Sequence, residues 1–356
     1  MRVAIVGAGI SGLACAHELE RLGINPVIFE RRFTVGDFHQ HSGVILGIFT
    51  RPIRDLFRYI EDNYDITLFP LNNVNEITVY GPGRKTVVRG EGLGYTFLKG
   101  QDENSIENQL RRLVKSKINF NIHADYRVLS KEYDYVVVAS GNHLISSDIG
   151  IWRMTMHTFI KGAVILGDFN PQAMHMWFNT RFAGSGYGYM IPFDNKRATL
   201  GLVVPHISQG DIDEHWDLFL KTIKLDNPIV ETFEQDLAVG YCTSHIIDNM
   251  YFVGNAAGLL NPLLCFGTIT SLLSGIYAAR AMVQKKDYED MLKPLVNQIA
   301  DLTTFRNYID KLDDRGFDKI IRLLSVPGVK QMFYNSNVDV WRLGARLLGL
   351  KKTIRD

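Results

Sequence analysis

The sequence predicts a mixed α/β architecture: a parallel-sheet unit built on a glycine-rich turn, an antiparallel sheet threaded into it, and a helical C-terminal region. Three observations predict this. A strand, turn, helix and strand follow one another over residues 2–32, β runs broken by glycine and proline dominate 151–205, and helical periodicity prevails from about Gly267 onward. With 356 residues, 46% of them hydrophobic and 22% charged, the chain is long enough to bury two packed cores.

The opening segment, RVAIVGAGISGLACAHELERLGINPVIFERR, reads as a β run over Val3–Val6, a turn Gly7-Ala-Gly9-Ile-Ser-Gly12, a helix to about Leu22, and a second strand from Pro26 to Phe29 that ends on Glu30. Gly7 permits the tight turn, Gly9 lets the backbone approach a pyrophosphate, and Gly12 lets the helix pack closely on the strand. The pyrophosphate rests on the helix N-terminus, over Ile10 and Ser11, where unpaired N–H groups and the dipole favour an anion. Glu30, 18 residues after Gly12, is placed to accept hydrogen bonds from an adenosine ribose. Strand, glycines, helix, strand and acid in this order predict a Rossmann-like dinucleotide site. Glu30 suits the ribose of FAD or NAD and disfavours a 2′-phosphate; Arg31 and Arg32 are either phosphate or adenine ligands or a solvated pair.

The next stretch, FTVGDFHQHSGVILG (33–47), reads as a glycine-punctuated loop, and 50–63 as a helix. Residues 74–88 predict a hairpin around Gly81-Pro82-Gly83. After a β run at Tyr95–Leu98, an amphipathic helix spans about Ser105 to Lys115 with Asn104 as its cap. INFNIHADYRVLS and YDYVVVASG then predict two strands. The second is apolar throughout, as a buried parallel strand is, so the chain returns there to the first sheet. GSGYGYMIPFDNKRATLGLVV and its neighbours predict the antiparallel sheet. The expected division assigns 1–72, 90–150 and 240–285 to a discontinuous nucleotide-binding domain, 73–89 and 151–239 to an antiparallel-sheet substrate domain, and 286–356 to a helical region.

Within 251–267, YFVGNAAGLLNPLLCFG, an apolar run stops at a glycine and turns through Asn255, Gly258 and Pro262. A core strand needs no such ending. A strand, a loop and the start of an apolar helix running from Gly267 to about Gln284 form a second element that can bind an anion or dipole, more than two hundred residues after the first. Asn255 can bond a sugar-like hydroxyl, while Gly258, Pro262 and Gly267 keep side chains away. A helix start aimed at a flavin pyrimidine ring would stabilise the negative charge that develops there on reduction.

Composition excludes several function classes. A net charge of +1 leaves no excess of Lys and Arg for a broad nucleic-acid surface. Cys15, Cys242 and Cys265 are widely separated and form neither a zinc pattern nor a disulfide framework, which fits a reducing compartment; His39 and His41 lack a matching ligand set, so no metal is expected. The first strand begins at Arg2, and no run reaches the roughly 18 apolar residues of a membrane span. The expectation is a cytoplasmic protein that meets a membrane only from its surface, where the tail DVWRLGARLLGLKKTIRD (339–356) is either a basic amphipathic helix lying on the membrane or a docked C-terminal helix.

Three motifs together resemble the FAD-dependent geranylgeranyl reductase family of the p-hydroxybenzoate hydroxylase-like flavoproteins. They are Gly7-x-Gly9-x-x-Gly12 with Glu30, GYGYMIPFDNKRATLGL, and GNAAGLLNPLLCFGTITSLLSGIYAAR, and the resemblance covers most of residues 1–285. It implies an α+β fold with a Rossmann-like FAD-binding domain, and FAD with its pyrophosphate at Gly7, Gly9 and Gly12. It further implies the adenosine ribose at Glu30, the ribityl and phosphate region at Gly254 and Asn255, and the isoalloxazine near Gly267 and Thr268. Three positions depart from the family pattern. Asn255 stands where the family usually has Asp, His41-Ser42-Gly43 where many members have Cys-Gly, and Cys265 in place of the first glycine of Gly-x-Gly. Ser42 and Gly43 remain flavin-contact candidates.

The chemistry implied is reduction of isolated double bonds in the polyprenyl chain of a lipid or quinone, with hydride going from reduced flavin N5 to one carbon and a proton to the other. Electrons would come from NAD(P)H bound transiently or from a ferredoxin-like protein, since no second glycine fingerprint is present. Tyr187, Tyr189 and Trp177, within a cluster that also holds Phe169, Met174, Met176, Phe178, Phe182 and Met190, are the substrate candidates. Cys265 is the catalytic candidate, because a helix N-terminus lowers a thiol pKa; Cys15 is read as core. Rival functions are a flavin monooxygenase of a small aromatic or apolar substrate and a non-redox protein with structural FAD.

Overall fold

The computed structural model describes residues 1–36, 39–329, 334 and 336–347. β1 (Val3–Val6) leads through the glycine turn into α1 (Ile10–Arg21) and β2 (Val27–Phe29). β3 (His41–Leu46) ends in a 3-10 turn at Gly47–Phe49, and α2 (Leu56–Tyr64) follows. β4 (Asn72–Tyr80) and β5 (Lys85–Lys99) form the expected hairpin. The chain then passes through α3 (Ile106–Leu113), β6 (Ile118–Asn119), α4 (Tyr126–Glu132), β7 (Tyr135–Val138) and α5 (Leu144–Asp148). The β-rich middle consists of β8 (Trp152–Leu166), β9 (Ala173–Trp177), a short α6 (Thr180–Ala183), β10 (Tyr187–Pro192), β11 (Arg197–Pro205), α7 (Ile212–Ile223) and β12 (Ile229–Cys242). β13 (Ile246–Ile247) and β14 (Met250–Phe252) return to the first sheet, and α8 (Thr268–Gln284), α9 (Tyr288–Ile309), α10 (Asp314–Ser325) and α11 (Val340–Leu347) complete the described chain.

Two sheets result. The first runs β13-β14-β7-β1-β2-β6 and is parallel except for β13. Val136, Val137 and Val138 of β7 are fully buried, as the apolar run required. Helices α1 and α8 pack against one another beside this sheet, and Glu18 of α1, 1% exposed, accepts from Arg21 (2.6 Å) and from Arg280 of α8 (2.5 Å). Removing either arginine would leave a buried carboxylate under-compensated.

The second sheet runs β12-β8-β11-β10-β9-β4-β5-β3, antiparallel except where β4 meets β9. It coils, so that β3 at one end crosses β11: the Ser42 amide donates to Thr199 Oγ1 at 2.8 Å, and His39 and His41 pack their rings on Phe233 of β12. One face lies under α7, whose Trp216 and Phe219 cover Ala198, Leu200 and Leu202. The other carries Met174, Met176 and Tyr187 toward the 264–266 loop.

Several expectations need correction. The loop expected over 33–47 contains β3, a strand that glycine and histidine disguise but that β5 pairs along its whole length. The strand expected over INFNIHADYRVLS is two residues long; Asp125 then caps α4 by accepting from the Arg127 amide, and Tyr126 and Leu129 bury one helical face. The cap of α3 is Ser105, accepting from the Asn108 amide, rather than Asn104. The helix expected from residue 50 starts at Leu56, behind the Asp55 cap. The antiparallel sheet also takes β3 and all of β5 to Lys99, strands expected in the nucleotide-binding unit. Among the described residues no helix is long and apolar enough to cross a membrane. The tail beyond residue 347 lies outside the described residues; its preceding segment forms α11, docked on α9, where Trp341 meets Phe305 edge-on at 5.2 Å.

Candidate flavin site

The three glycines of the first turn divide their work. Gly7 has φ +109°, and a β-carbon there would come 2.2 Å from the Ala139 carbonyl oxygen of the β7 end. On Gly12 it would come 2.0 Å from the Gly7 oxygen. Both are therefore required by the fold itself. Gly9, the uncapped N-terminal residue of α1 with φ −83°, would meet nothing within 4 Å. A bare position over open space at a helix N-terminus is a cradle that a bound pyrophosphate would fill.

Glu30 is 8% exposed and accepts from the Ala8 amide through one oxygen (2.8 Å) and from the Arg32 amide through the other (2.9 Å). Its carboxylate thus braces the glycine turn and keeps lone pairs for a ribose. Arg32 ties the following loop by donating to the Gly36 carbonyl at 2.8 Å, while Arg31 is exposed.

The second grip sits against the first. Gly254, at φ +59°, donates its amide to Ser274 Oγ (2.9 Å), and a β-carbon on it would lie 2.9 Å from Ser11 Oγ. Asn255 donates its amide nitrogen to the Gly141 carbonyl (3.4 Å), but its Oδ1 is buried with no hydrogen-bond partner. An orphaned buried acceptor costs about 1–3 kcal/mol, and a ribityl hydroxyl is the donor it fits. Gly267 is the uncapped N-terminus of α8, and a β-carbon on it would reach 2.9 Å from Asn255 Oδ1. Gly258 serves the backbone instead: at φ +73° it lies against Tyr241 Cα of β12. The present residues therefore fit FAD: Glu30 braces the first turn, Gly254 of the second lies against Ser11 of the first, and Gly267 lies against Asn255.

Ser42 and Gly43 belong to β3, whose later residues Val44, Ile45 and Leu46 share a cavity of about 50 Å³ with Asn261, Phe266 and Thr268. Thr199 holds Ser42 by accepting from its amide and donating to its hydroxyl at 3.3 Å. Thr199 and Ser274 were not singled out in sequence; each lies inside a motif, KRATLGL and SLLSGIYAAR, but only the fold shows which backbone each serves.

Period-two alternation splits the aromatic cluster. Tyr187 and Tyr189 share the face that meets the 264–266 loop, where the Tyr187 hydroxyl donates to the Leu264 carbonyl at 2.6 Å. Burial raises the pKa of both phenols. Trp177 is opposite Gly188 in the β9–β10 register and meets Phe219 of α7 edge-on at 5.8 Å, on the other face. Its expected place beside the two tyrosines is corrected accordingly, and Phe169, Phe182 and Met190 accompany it.

The lowered thiol pKa expected for Cys265 is also corrected. Three residues short of α8, it packs among Met156, Val239 and Leu260, and burial pushes its thiol up to about 12 rather than down. Its φ of +55° is left-handed, a conformation that suits the glycine of the family pattern that the sequence motifs resemble.

A larger cavity of about 310 Å³ adjoins the small one, the two sharing Phe49, Thr50, Ile269 and Gln298. It runs between the 47–56 turn, α8, α9 and α11. Neither cavity is lined by Tyr187 or Tyr189.

A domain family described as FAD dependent oxidoreductase matches residues 2–80. Along nearly its whole length the chain is similar to digeranylgeranylglycerophospholipid reductase 2 of Methanosphaera stadtmanae, at 25% identity over 89% of this chain and 90% of that protein. In structure it resembles a geranylgeranyl bacteriochlorophyll reductase-like protein of Thermoplasma acidophilum, with TM-score 0.71, 17% identity and 98% of each chain covered. It also resembles a flavin-dependent brominase, with TM-score 0.64, 14% identity, and 98% and 99% of the two chains covered. Such distant structures share the fold. Joined to the two adjoining glycine-rich turns, the family match and the curated relatives bear out the resemblance carried by the sequence motifs and make the chain an FAD-dependent oxidoreductase.

Proposed function

We propose that the chain reduces isolated carbon–carbon double bonds in the polyprenyl chain of a lipid or quinone. The observation that carries this reading is the pair of adjoining cavities, about 50 and 310 Å³, which share Phe49, Thr50, Ile269 and Gln298 and whose walls include Thr268, Leu46, Phe266 and Ile299 in the smaller and Leu56, Leu273 and Leu295 in the larger. Aliphatic and aromatic side chains along both walls suit a hydrocarbon chain such as a polyprenyl group. The likeness to proteins named as digeranylgeranylglycerophospholipid reductases supports it.

FAD, when bound, supplies hydride from N5 of its reduced ring. Gly9 and the first turn of α1 would hold its pyrophosphate, Glu30 its ribose, and Gly254, Asn255 and Gly267 the remainder. Ser42, held by Thr199, and Gly43 would serve the flavin end of the site. Tyr187 and Tyr189, packed against the 264–266 loop behind the smaller cavity, close that side to water, which an alkene without a polarising carbonyl requires. Cys265, whose thiol burial keeps protonated at neutral pH, would give its proton to the alkene carbon next to the one that takes hydride, and solvent would return a proton to the resulting thiolate before the next turnover. The electron donor is NAD(P)H or a ferredoxin-like protein, and the substrate reaches the protein from a membrane surface.

The test is anaerobic reduction with dithionite in the presence of a geranylgeranyl lipid, followed by mass spectrometry of the lipid. The expected product gains two hydrogens per double bond. Unchanged lipid together with substrate-stimulated oxygen uptake would transfer the assignment to oxygen-dependent chemistry, and a flavin that resists dithionite would leave FAD a structural role.

A further inference from the structure

Arg306, near the end of α9, is 5% exposed, and a guanidinium so deeply buried is costly unless it is well paired. Its Nη2 donates to the Ser185 carbonyl and to Asp310 Oδ1, each at 2.7 Å. Asp310 is shared: its Oδ1 also accepts from the Ser185 hydroxyl at 2.6 Å, and its Oδ2 meets His206 Nε2 at 3.5 Å. Arg306 Nε is buried with no hydrogen-bond partner. One carboxylate on which three groups draw leaves this cation under-compensated, so a further negative charge beside it would be stabilised.

The hydrogen bonds lead from Arg306 toward a thiol. Ser185 stands two residues before Tyr187, whose hydroxyl donates to the Leu264 carbonyl at 2.6 Å. Leu264 adjoins Cys265, and the loop is closed from within. Asn261 Oδ1 accepts from the Leu263 amide at 2.8 Å, and the Asn261 carbonyl from the Cys265 amide at 2.9 Å. Burial raises the pKa of both Cys265 and Tyr187, and the Arg306 charge draws each of them back down. Tyr189 also faces the thiol, and burial keeps its phenol neutral. Cys265 packs among Met156, Val239 and Leu260, apolar side chains that offer a thiolate no compensation.

We propose that Arg306 is a positioning residue for proton delivery, the counter-charge for the thiolate that Cys265 becomes after giving its proton to the alkene. This rests on the reading of Cys265 as the proton donor. In that step the S–H bond breaks and a C–H bond forms. The electron pair stays on sulfur, and the guanidinium offsets its charge until solvent returns a proton. Sulfur is neither oxidised nor reduced, because hydride from reduced flavin carries the electrons.

The experiment alkylates the FAD-loaded protein with iodoacetamide at pH 9.5 and follows the peptide that carries Cys265 by mass spectrometry. Only the thiolate reacts, so the rate reads its population. Arg306→Gln is expected to slow alkylation of Cys265 about 10-fold, as one pKa unit would, and Arg306→Lys to restore it. A residue that merely packs would do the opposite, since a loosened loop exposes the thiol and speeds the reaction. Cys242, in the first core, should react at the parent rate in every variant. With a geranylgeranyl lipid, kcat of Arg306→Gln should fall about as far as its alkylation rate while KM stays. Alkylation at or above the parent rate in Arg306→Gln overturns the proposal. Should that variant fail to fold, Asp310→Asn removes the carboxylate that offsets Arg306 and is expected to speed alkylation at an unchanged melting temperature; no acceleration overturns the pairing. If Arg306→Gln slows alkylation but Cys265→Ala reduces lipid at the parent rate, the proton-donor reading fails and the delivery role falls with it. If Cys265→Ala slows turnover while Arg306→Gln changes neither alkylation nor kcat, that reading stands and Arg306 loses its part.

Discussion

Gly275 of α8 lies against the Ser11 carbonyl of α1: a β-carbon built on it would come 2.1 Å from that oxygen and 3.1 Å from the Cys15 nitrogen. The helices that begin at the two flavin grips therefore touch backbone to backbone. That contact fixes the spacing between Gly9 and Gly254.

Gly275→Ala is expected to force α8 away from α1, because backbone atoms cannot give way as a flexible side chain does. The expected loss is about 1–3 kcal/mol of stability together with weaker flavin retention. Thermal unfolding with flavin release read in parallel checks both; an unchanged melting temperature would refute the close packing.

Gly9→Val separates ligand from fold. Since nothing lies within 4 Å of the added carbon and φ is ordinary, the apoprotein should melt as before. Its purified form should carry no flavin absorbance. An undiminished flavin spectrum would sink the pyrophosphate cradle.

Thr199→Val leaves the buried Ser42 amide without its acceptor. We expect about 1–3 kcal/mol of destabilisation and a shifted flavin absorption envelope, since β3 would no longer be pinned. Thr199→Ser, which retains the oxygen, should restore the spectrum; a Val variant with the parent spectrum would separate Ser42 from the flavin.

Cys265→Gly is expected to raise stability by about 1 kcal/mol by relieving a left-handed non-glycine residue, measured by denaturant midpoint. Cys265→Ala should keep FAD but slow reduction of the lipid. Unchanged turnover returns the thiol to the core.

Buried thiols also set the alkaline limit. Desolvation chiefly raises the Cys15 pKa and pushes Cys242 up to about 12, from an ordinary 9.0. Below pH 9 the folded and unfolded chains both hold these protons, so stability is unaffected. Above pH 9 the unfolded chain releases protons that the folded chain keeps, and stability falls by up to about 1.4 kcal/mol per pH unit for each thiol. Urea midpoints should fall slightly from pH 8 to 9.5 and more steeply from 9.5 to 10.5; a flat series would contradict the burial.

Much of this was legible in the residues. The glycine turn, Glu30, the apolar β7 and the apolar α8 are local patterns with one geometric solution each, and each occurs where it was expected. What escaped depends on distant partners. β3 becomes a strand because β5 lies beside it, and Trp177 leaves the substrate face because alternation along β9 turns it toward α7. Cys265 loses the helix-terminus effect because the chain turns for two more residues before α8 begins. The wall of the larger cavity joins residues from Arg51 to Arg342, and no sequence window contains both.

The contact between Gly275 and Ser11 has a consequence for biogenesis. The first grip leaves the ribosome early, yet its counterpart emerges only after the entire intervening β-rich segment has been made. A nascent chain therefore cannot retain FAD until translation has passed α8, and the cofactor stabilises only molecules whose long-range topology is already in place. Flavin supply during expression should thus govern the yield of finished protein and leave the early steps of synthesis untouched.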